Sequence, residues 1–167
     1  MKVFIIALLA AMALPFASAA EIDVTYSPEF SKKLQEDYGM REGDRLSEDI
    51  REDLEREFGK AKIDPARVSV TIIDAKPNRP TMQQLKDRPG LDMLRSKSIG
   101  GMDLEGTAYD ANGNVLAELS YDWFETNINQ VVASSVWGDA DRASRRFAKK
   151  FADKLSESAK VSTGPGG

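Results

Sequence analysis

Residues 103–123 read DLEGTAYDANGNVLAELSYDW, two runs of alternating polar and apolar residues that meet at Asn112-Gly113. Asn-Gly is the preferred pair for a two-residue type I′ turn, in which both residues take positive φ. Folded about that turn, Ala108 faces Ala117, Gly106 faces Leu119, Leu104 faces Tyr121 and Met102 faces Trp123. All eight are apolar or small, and all lie on one side of the ribbon. A three-residue bulged loop would slip the pairing by one, set Gly106 against Glu118 and destroy the sorting. The stretch therefore predicts an antiparallel hairpin with one apolar face. Asp110, Asn112 and Asn114 alternate as in a calcium loop, but an EF-hand starting at Asp110 needs Gly at its sixth position and Glu at its twelfth. Val115 and Tyr121 stand there, so the tip reads as a turn.

Upstream, ARVSVTIIDA (66–75) is the strongest further strand, with Val68, Val70 and Ile72 on one face and Ile73 on the other. Ile22–Tyr26 reads as a short extended start. Ser27-Pro28-Glu29 then has the order of N-cap, first helical position and acidic first turn. Phe30, Leu34 and Tyr38 carry that helix to Gly39. A second helix is expected from about Asp44 or Ser47, with Leu46, Ile50, Leu54 and Phe58 on its stripe and Gly59 as its stop. Between Lys76 and Gly101 runs a long connection in which Thr81 and Gln84 have capping-box spacing. Leu91, Leu94 and Ile99 are expected to return it to the core, and Gly100-Gly101 to mark close packing where the chain joins the sheet. The last helix starts near Gly138 or Asp139, with Asp139 and Asp141 at its positive end. Its apolar stripe is Ala140, Phe147, Phe151 and Leu155, widened by Ala143, Ala148 and Ala152. Trp123 and Trp137 read as core anchors. This order predicts an α+β fold: a small antiparallel or mixed sheet of three or four strands with helices packed on one face.

The first twenty residues, MKVFIIALLAAMALPFASAA, run from one charge through an apolar stretch to small residues. That is the order of a secretory signal peptide, too short in its apolar part to span a bilayer. Residues 1–20 are thus expected to be a leader, 21–160 a single domain and 161–167 (VSTGPGG) a disordered tail. The location that follows is periplasmic or secreted. With Lys2 removed, 22 basic residues stand against 27 acidic ones, a net charge of −5 that does not suggest nucleic acid. The chain has no Cys and no His, so there is no disulfide, no Ser–His or Cys–His nucleophile pair and no usual zinc or copper ligand. No cofactor and no metal are expected.

Three constellations remain. On the hairpin's polar face Asp103 falls opposite Asp122, with Glu105 and Glu118 nearby. Like charges in register are mildly destabilising. The face reads either as a cation or carboxylate acid–base site, or as a solvated surface that discourages edge association. On the last helix Arg142, Arg145, Arg146, Lys149, Lys150 and Lys154 share one half of the wheel. They suit an acidic partner or anionic headgroups, or they are the wet side of an amphipathic helix whose long side chains cover apolar neighbours. The 76–101 connection carries Lys76, Arg79, Lys86, Arg88, Arg95 and Lys97 against Asp87 and Asp92. Ordered connections of this length are often binding elements, although a helical crossover between strands would lengthen one equally.

The succession VTIIDAKPNRPT (70–81), SIGGMDLEGTAYDANGNVLAELSYDW (98–123) and WGDADRASRRFAKKFADKL (137–155) resembles uncharacterised envelope proteins of Gram-negative bacteria. The element order is also similar to the small α/β domain at the amino terminus of TolB and in CsgG-type secretion proteins. The resemblance implies a periplasmic accessory role through protein contacts and brings no catalytic residues; no Cys is present to carry a lipid anchor. The leading expectation is a non-enzymatic binding protein of the envelope. Its candidate contact residues are Arg79, Arg88, Arg142, Arg145, Arg146, Lys149 and Lys150, and its partner is another envelope protein. The alternative is a carboxylate-based hydrolase or cation-dependent protein using Asp103, Glu105 and Asp122.

Overall fold

A computed structural model describes residues 20–162. Residues 1–19 of the expected leader and 163–167 of the expected tail lie outside the described residues. The elements are β1 (Glu21–Tyr26), α1 (Pro28–Lys33) continued by a π-helical turn (Leu34–Tyr38), α2 (Met40–Ala61), β2 (Arg67–Lys76), α3 (Met82–Asp87), β3 (Gly101–Tyr109), β4 (Val115–Phe124) and α4 (Gly138–Ser162). The fold is α+β. Four strands form one mixed sheet in the order β1-β2-β3-β4, parallel at β1–β2 and antiparallel elsewhere. Val68, Val70, Ile72, Met102, Leu104 and Ala108 point to one face and are fully buried there with Leu46, Ile50 and Leu54 of α2 and Phe147 and Phe151 of α4. Each of these large side chains contributes about 1.5–3 kcal/mol by leaving water. Trp137 is fully buried beside Tyr38, rings edge to face at 5.5 Å, and its indole N–H donates to Glu42 Oε2 at 2.6 Å.

The hairpin has the expected register but not the expected turn. Met102, Leu104, Gly106 and Ala108 pair with Trp123, Tyr121, Leu119 and Ala117. At the tip, however, only Gly113 has positive φ, +83°, and Asn112 does not. Gly113 N–H donates to Asp110 O, and Asp110 N–H to Asn114 O. This is a three-residue loop closed by a left-handed glycine. It starts the ladder one residue out of step, Tyr109 against Val115, and a shift between Tyr109 and Ala108 restores the apolar pairing. The extra β4 residue is Leu116. A type I′ turn would reach this apolar pairing directly; the three-residue tip reaches it through the bulge, so burial of one face holds the register whichever turn closes it.

β2 also carries an irregularity: Ile72 pairs with Leu104 and Asp74 with Asp103, so Ile73 is the extra residue and Ala75 turns inward with Met102. The sheet's free edges are partly covered. Arg51 donates to Ile22 O of β1 and Lys154 to Glu118 O of β4, which occupies carbonyls that another strand would need.

Two helix boundaries differ from expectation. Ser27 caps α1 as its sequence implies, its Oγ accepting from Phe30 N–H. The end is a π turn in which Gly39 N–H reaches Leu34 O, five residues back, and α2 starts at once at Met40. Gly43 lies inside α2 because a Cβ there would meet Leu34 Cδ1 at 2.6 Å. The helix thus starts at Met40, ahead of the expected start at about Asp44 or Ser47, with the glycine inside it. Nor does Gly59 end α2, which runs to Ala61 and stops on Lys62 in the left-handed conformation.

Candidate partner-binding cleft

The 76–101 connection leaves β2 at Lys76 and is fastened at once by Asn78, which is fully buried. Its amide donates to Ser98 O (3.1 Å) and to Asp139 Oδ2 (2.5 Å), and its Oδ1 accepts Asp139 N–H (2.7 Å). The backbone N–H of Asn78 meets Val136 O at 2.7 Å. One side chain thus ties the end of β2, the return to β3 and the first turn of α4. Sequence reading missed it, although a polar residue flanked by Pro77 and Arg79-Pro80 is a weak sign of a fixed polar joint. Asp139, read only as a helix-dipole partner, is fully buried in the same joint and also receives Val132 N–H at 3.0 Å.

Beyond this joint α3 begins on Thr81, whose hydroxyl and backbone form the expected capping box with Gln84. Arg79 then holds the loop. Its guanidinium donates to Met93 O (2.9 Å), Leu94 O (2.7 Å) and Ala133 O. Leu94 and Ile99 do not return to the core; they are 80% and 38% exposed. Leu91 is half-buried, and Pro77 and Pro80 are buried, so the connection docks through its first residues and its hydrogen bonds while Met93, Leu94 and Ile99 stay outside.

The result is a cleft of about 400 Å³ whose walls carry Lys76, Arg79, Arg88 and Lys97 against one carboxylate, Asp37. Arg88 pairs with Asp37 at 2.5 Å, and Gln84 Nε2 donates to the other Asp37 oxygen at 2.9 Å. Lys76 lies over the Phe124 ring at 5.3 Å. Lys97 is exposed and has no ion-pair partner among the described residues. Burial, then the charges of Asp74 and Asp37, push the Tyr38 phenol up to about 12.

The structure does not bring the α4 cations into this cleft. Arg146 and Arg142 lie over the half-buried Trp123 ring at 4.4 and 5.5 Å, and Lys150 lies 5.9 Å from Tyr121. Arg142 also reaches Glu125 (3.3 Å) and Asp139 (3.5 Å), while Lys149 pairs with Asp153 at 3.1 Å. Much of this row therefore covers β4 aromatics, as long side chains do. Arg145 remains exposed.

The acidic face is more extensive than the hairpin alone suggests. Asp74, Asp103 and Asp122 align across β2, β3 and β4. Lys33 neutralises Asp74, its ammonium 2.8 and 2.9 Å from the two oxygens. Burial first, then the charges of Asp122, Glu105 and Asp74, raise Asp103 above the ordinary carboxylate range. Neither the loop-end cleft nor the apolar groove at the sheet's other end includes Asp103, Glu105 or Asp122. Among the described residues no group of three or more His, Cys, Asp or Glu is placed to hold a metal. At the hairpin tip, Asp110 accepts Asn112 N–H, Asn114 N–H and the Asn114 amide, so its carboxylate closes the turn.

A second polar cluster, unforeseen from sequence, lies between α2 and α4. Asp53 accepts from Ser144 Oγ at 2.7 Å and from Arg56. Asp49 Oδ2 and Asp141 Oδ1 are buried without a hydrogen-bond partner. Burial raises both carboxyls; the charge of Asp49 raises Asp141 further, while Arg45, 3.6 Å from Asp49 Oδ2, works against the shift in both. These residues sit on helix faces that look solvated until the helices are packed together.

Among the described residues no helix is long and apolar enough to cross a membrane. No family model, curated protein or solved structure matches this chain.

Proposed function

We propose that this chain is a non-catalytic binding domain of the bacterial envelope, exported by its amino-terminal leader, that docks an acidic segment of a protein partner in the cleft beside α3. One observation carries this reading: in an acidic chain, four cations from a single ordered connection face one carboxylate across a concave site. Arg79 serves as the clamp that holds the loop, and Lys76, Arg88 and Lys97 present the charge. Such a field steers association more than it adds affinity, and it is screened over about 8 Å at physiological salt. The exposed Arg145 of α4 extends the positive field without entering the cleft. The resemblance to envelope proteins supports the location, and the absence of His and Cys from the sequence supports a role without nucleophilic chemistry.

The test is recovery of a partner from periplasmic extract by pull-down and mass spectrometry, followed by surface-plasmon kinetics at several salt concentrations. Lys97→Glu should slow association and flatten its salt dependence, and Arg88→Ala should speed dissociation. Arg145→Glu with Lys149→Glu should have a weaker effect on association alone. Rates unchanged in both Lys97→Glu and Arg88→Ala would refute the cleft as the binding surface.

A further inference from the structure

We infer that copies of this chain associate head to tail, the Leu94 turn of one molecule entering the apolar groove between Ile63, Leu116 and Leu155 of the next. This does not rest on the proposed acidic partner.

Leu94 is 80% exposed, the highest value among the exposed large apolar side chains of the described residues. Its turn is nevertheless fastened from both sides. Arg79 holds the Met93 and Leu94 carbonyls, while Asp92 Oδ1 accepts the N–H groups of Leu94 and Arg95, each at 2.8 Å. Ser96 closes the loop, its Oγ accepting Asp92 N–H at 3.0 Å and its N–H donating to Asp92 O at 2.9 Å. A leucine held outward on a fixed backbone loses little freedom on docking, the condition under which one apolar anchor is most effective.

The matching cavity is a groove of about 500 Å³ lined by Ile63, Pro65, Val115, Leu116 and Leu155. Val115 and Leu116 are 52% and 39% exposed there, Leu116 being the residue that the β4 bulge leaves without a cross-strand partner. The groove sits where β2 and β4 begin, and the Leu94 turn lies beyond the end of β2. Knob and groove are therefore at opposite ends of the sheet. A contact between them uses two different surfaces, so each added molecule leaves one knob and one groove free. Charge complements shape: Arg95 and Lys97 flank the knob, whereas Asp64 lines the groove and Asp110 shares an adjoining hollow with Leu116. Lys62 also lines the groove and Asp92 lies in the knob's own turn, so the balance is one net positive charge at the knob (Arg95 and Lys97 against Asp92) and one net negative charge at the groove (Asp64 and Asp110 against Lys62).

The experiment is sedimentation velocity of the purified chain from about 10 μM to about 1 mM, since one buried anchor gives weak association. Wild type should sediment faster with concentration. Leu94→Ser and Leu116→Glu should each weaken association about tenfold or more with melting temperature unchanged. Val115→Glu serves as a second groove variant should Leu116→Glu unfold. The decisive arm mixes the two single variants: Leu94→Ser keeps its groove and Leu116→Glu keeps its knob. An equimolar mixture should form dimers of wild-type contact strength and nothing larger. A wild type monomeric at about 1 mM, a single variant associating like wild type, or a mixture that fails to pair while wild type associates would overturn the inference. Binding of another apolar chain in the groove of a monomeric protein would show that its occupant is a different molecule.

Discussion

Replacing Asn78 by Ala should be among the most damaging single changes in this chain, although the side chain is small and polar. The residue is fully buried, and its amide makes three hydrogen bonds, two of them to Asp139. Truncation orphans the Asp139 N–H and one oxygen of its buried carboxylate; Ser98 O, on an exposed residue, can turn to water. An unsatisfied neutral group costs about 1–3 kcal/mol and a charged one more, so the sum is about 3–5 kcal/mol. That is a large share of the roughly 5–15 kcal/mol of a typical domain. Asn78→Asp should be comparably severe for a different reason, because it sets carboxylate against carboxylate at a contact now 2.5 Å long. Adding Asp139→Asn to Asn78→Asp restores an amide–carboxylate pair with the roles exchanged, so the double variant should be more stable than the two single losses add up to. Urea midpoints at constant m-value measure Asn78→Ala and the four proteins of the cycle, wild type, Asn78→Asp, Asp139→Asn and the double variant. A loss below about 1 kcal/mol for Asn78→Ala, or strict additivity in the cycle, would refute the view of Asn78 and Asp139 as one joint.

Three further outcomes are expected. Gly113→Val should destabilise by about 1–3 kcal/mol through backbone strain alone, because φ is +83° and nothing lies within 4 Å of a Cβ there; Gly113→Asn should lose less, and equal urea midpoints for Val and wild type would reject the left-handed assignment. Trp137→Phe should cost about 1–3 kcal/mol by orphaning Glu42 Oε2, and an unchanged midpoint would mean that water replaces the indole N–H. Asp103 and Asp141 both have folded-state pKa values raised above the unfolded range, chiefly by burial. The unfolded chain therefore releases these protons first, and the resulting loss of stability is absent below the unfolded pKa and complete above the folded one. Asp103→Asn and Asp141→Asn should accordingly match or exceed wild type at pH 7 and lose that advantage as pH falls through the carboxylate range. Urea midpoints between pH 3 and 7 check this, and an advantage growing toward acid would contradict the sign.

The elements were legible because burial writes a period into the sequence. Val68, Val70 and Ile72, and the alternation from Met102 to Trp123, fix strands and register; Phe147, Phe151 and Leu155 fix a helix. Ser27 and the Thr81–Gln84 pair announced helix starts through chemistry that acts within four residues. The hairpin tip marks the limit of such local rules. Asn112-Gly113 favours a turn that already gives the apolar register, yet the tip closes on the Asp110 carboxylate as a three-residue loop, and a bulge at Leu116 returns the ribbon to the same pairing.

The candidate site was legible only in part. Its charges could be read from the sequence, since Lys76, Arg79, Arg88 and Lys97 lie in one connection. Their division of labour could not: Arg79 became a clamp, Arg88 a partner of Asp37, and of the α4 cations Arg142, Arg146 and Lys150 went to β4 aromatics. Likewise the sequence determined that Leu94 and Leu116 are apolar, while only the tertiary structure decided that both stay outside, at opposite ends of the sheet. Periodicity records which face of an element is buried. Hydrogen bonds such as those of Asn78 join residues twenty and sixty-one positions apart, and no local pattern encodes a contact that exists only once the chain has closed on itself.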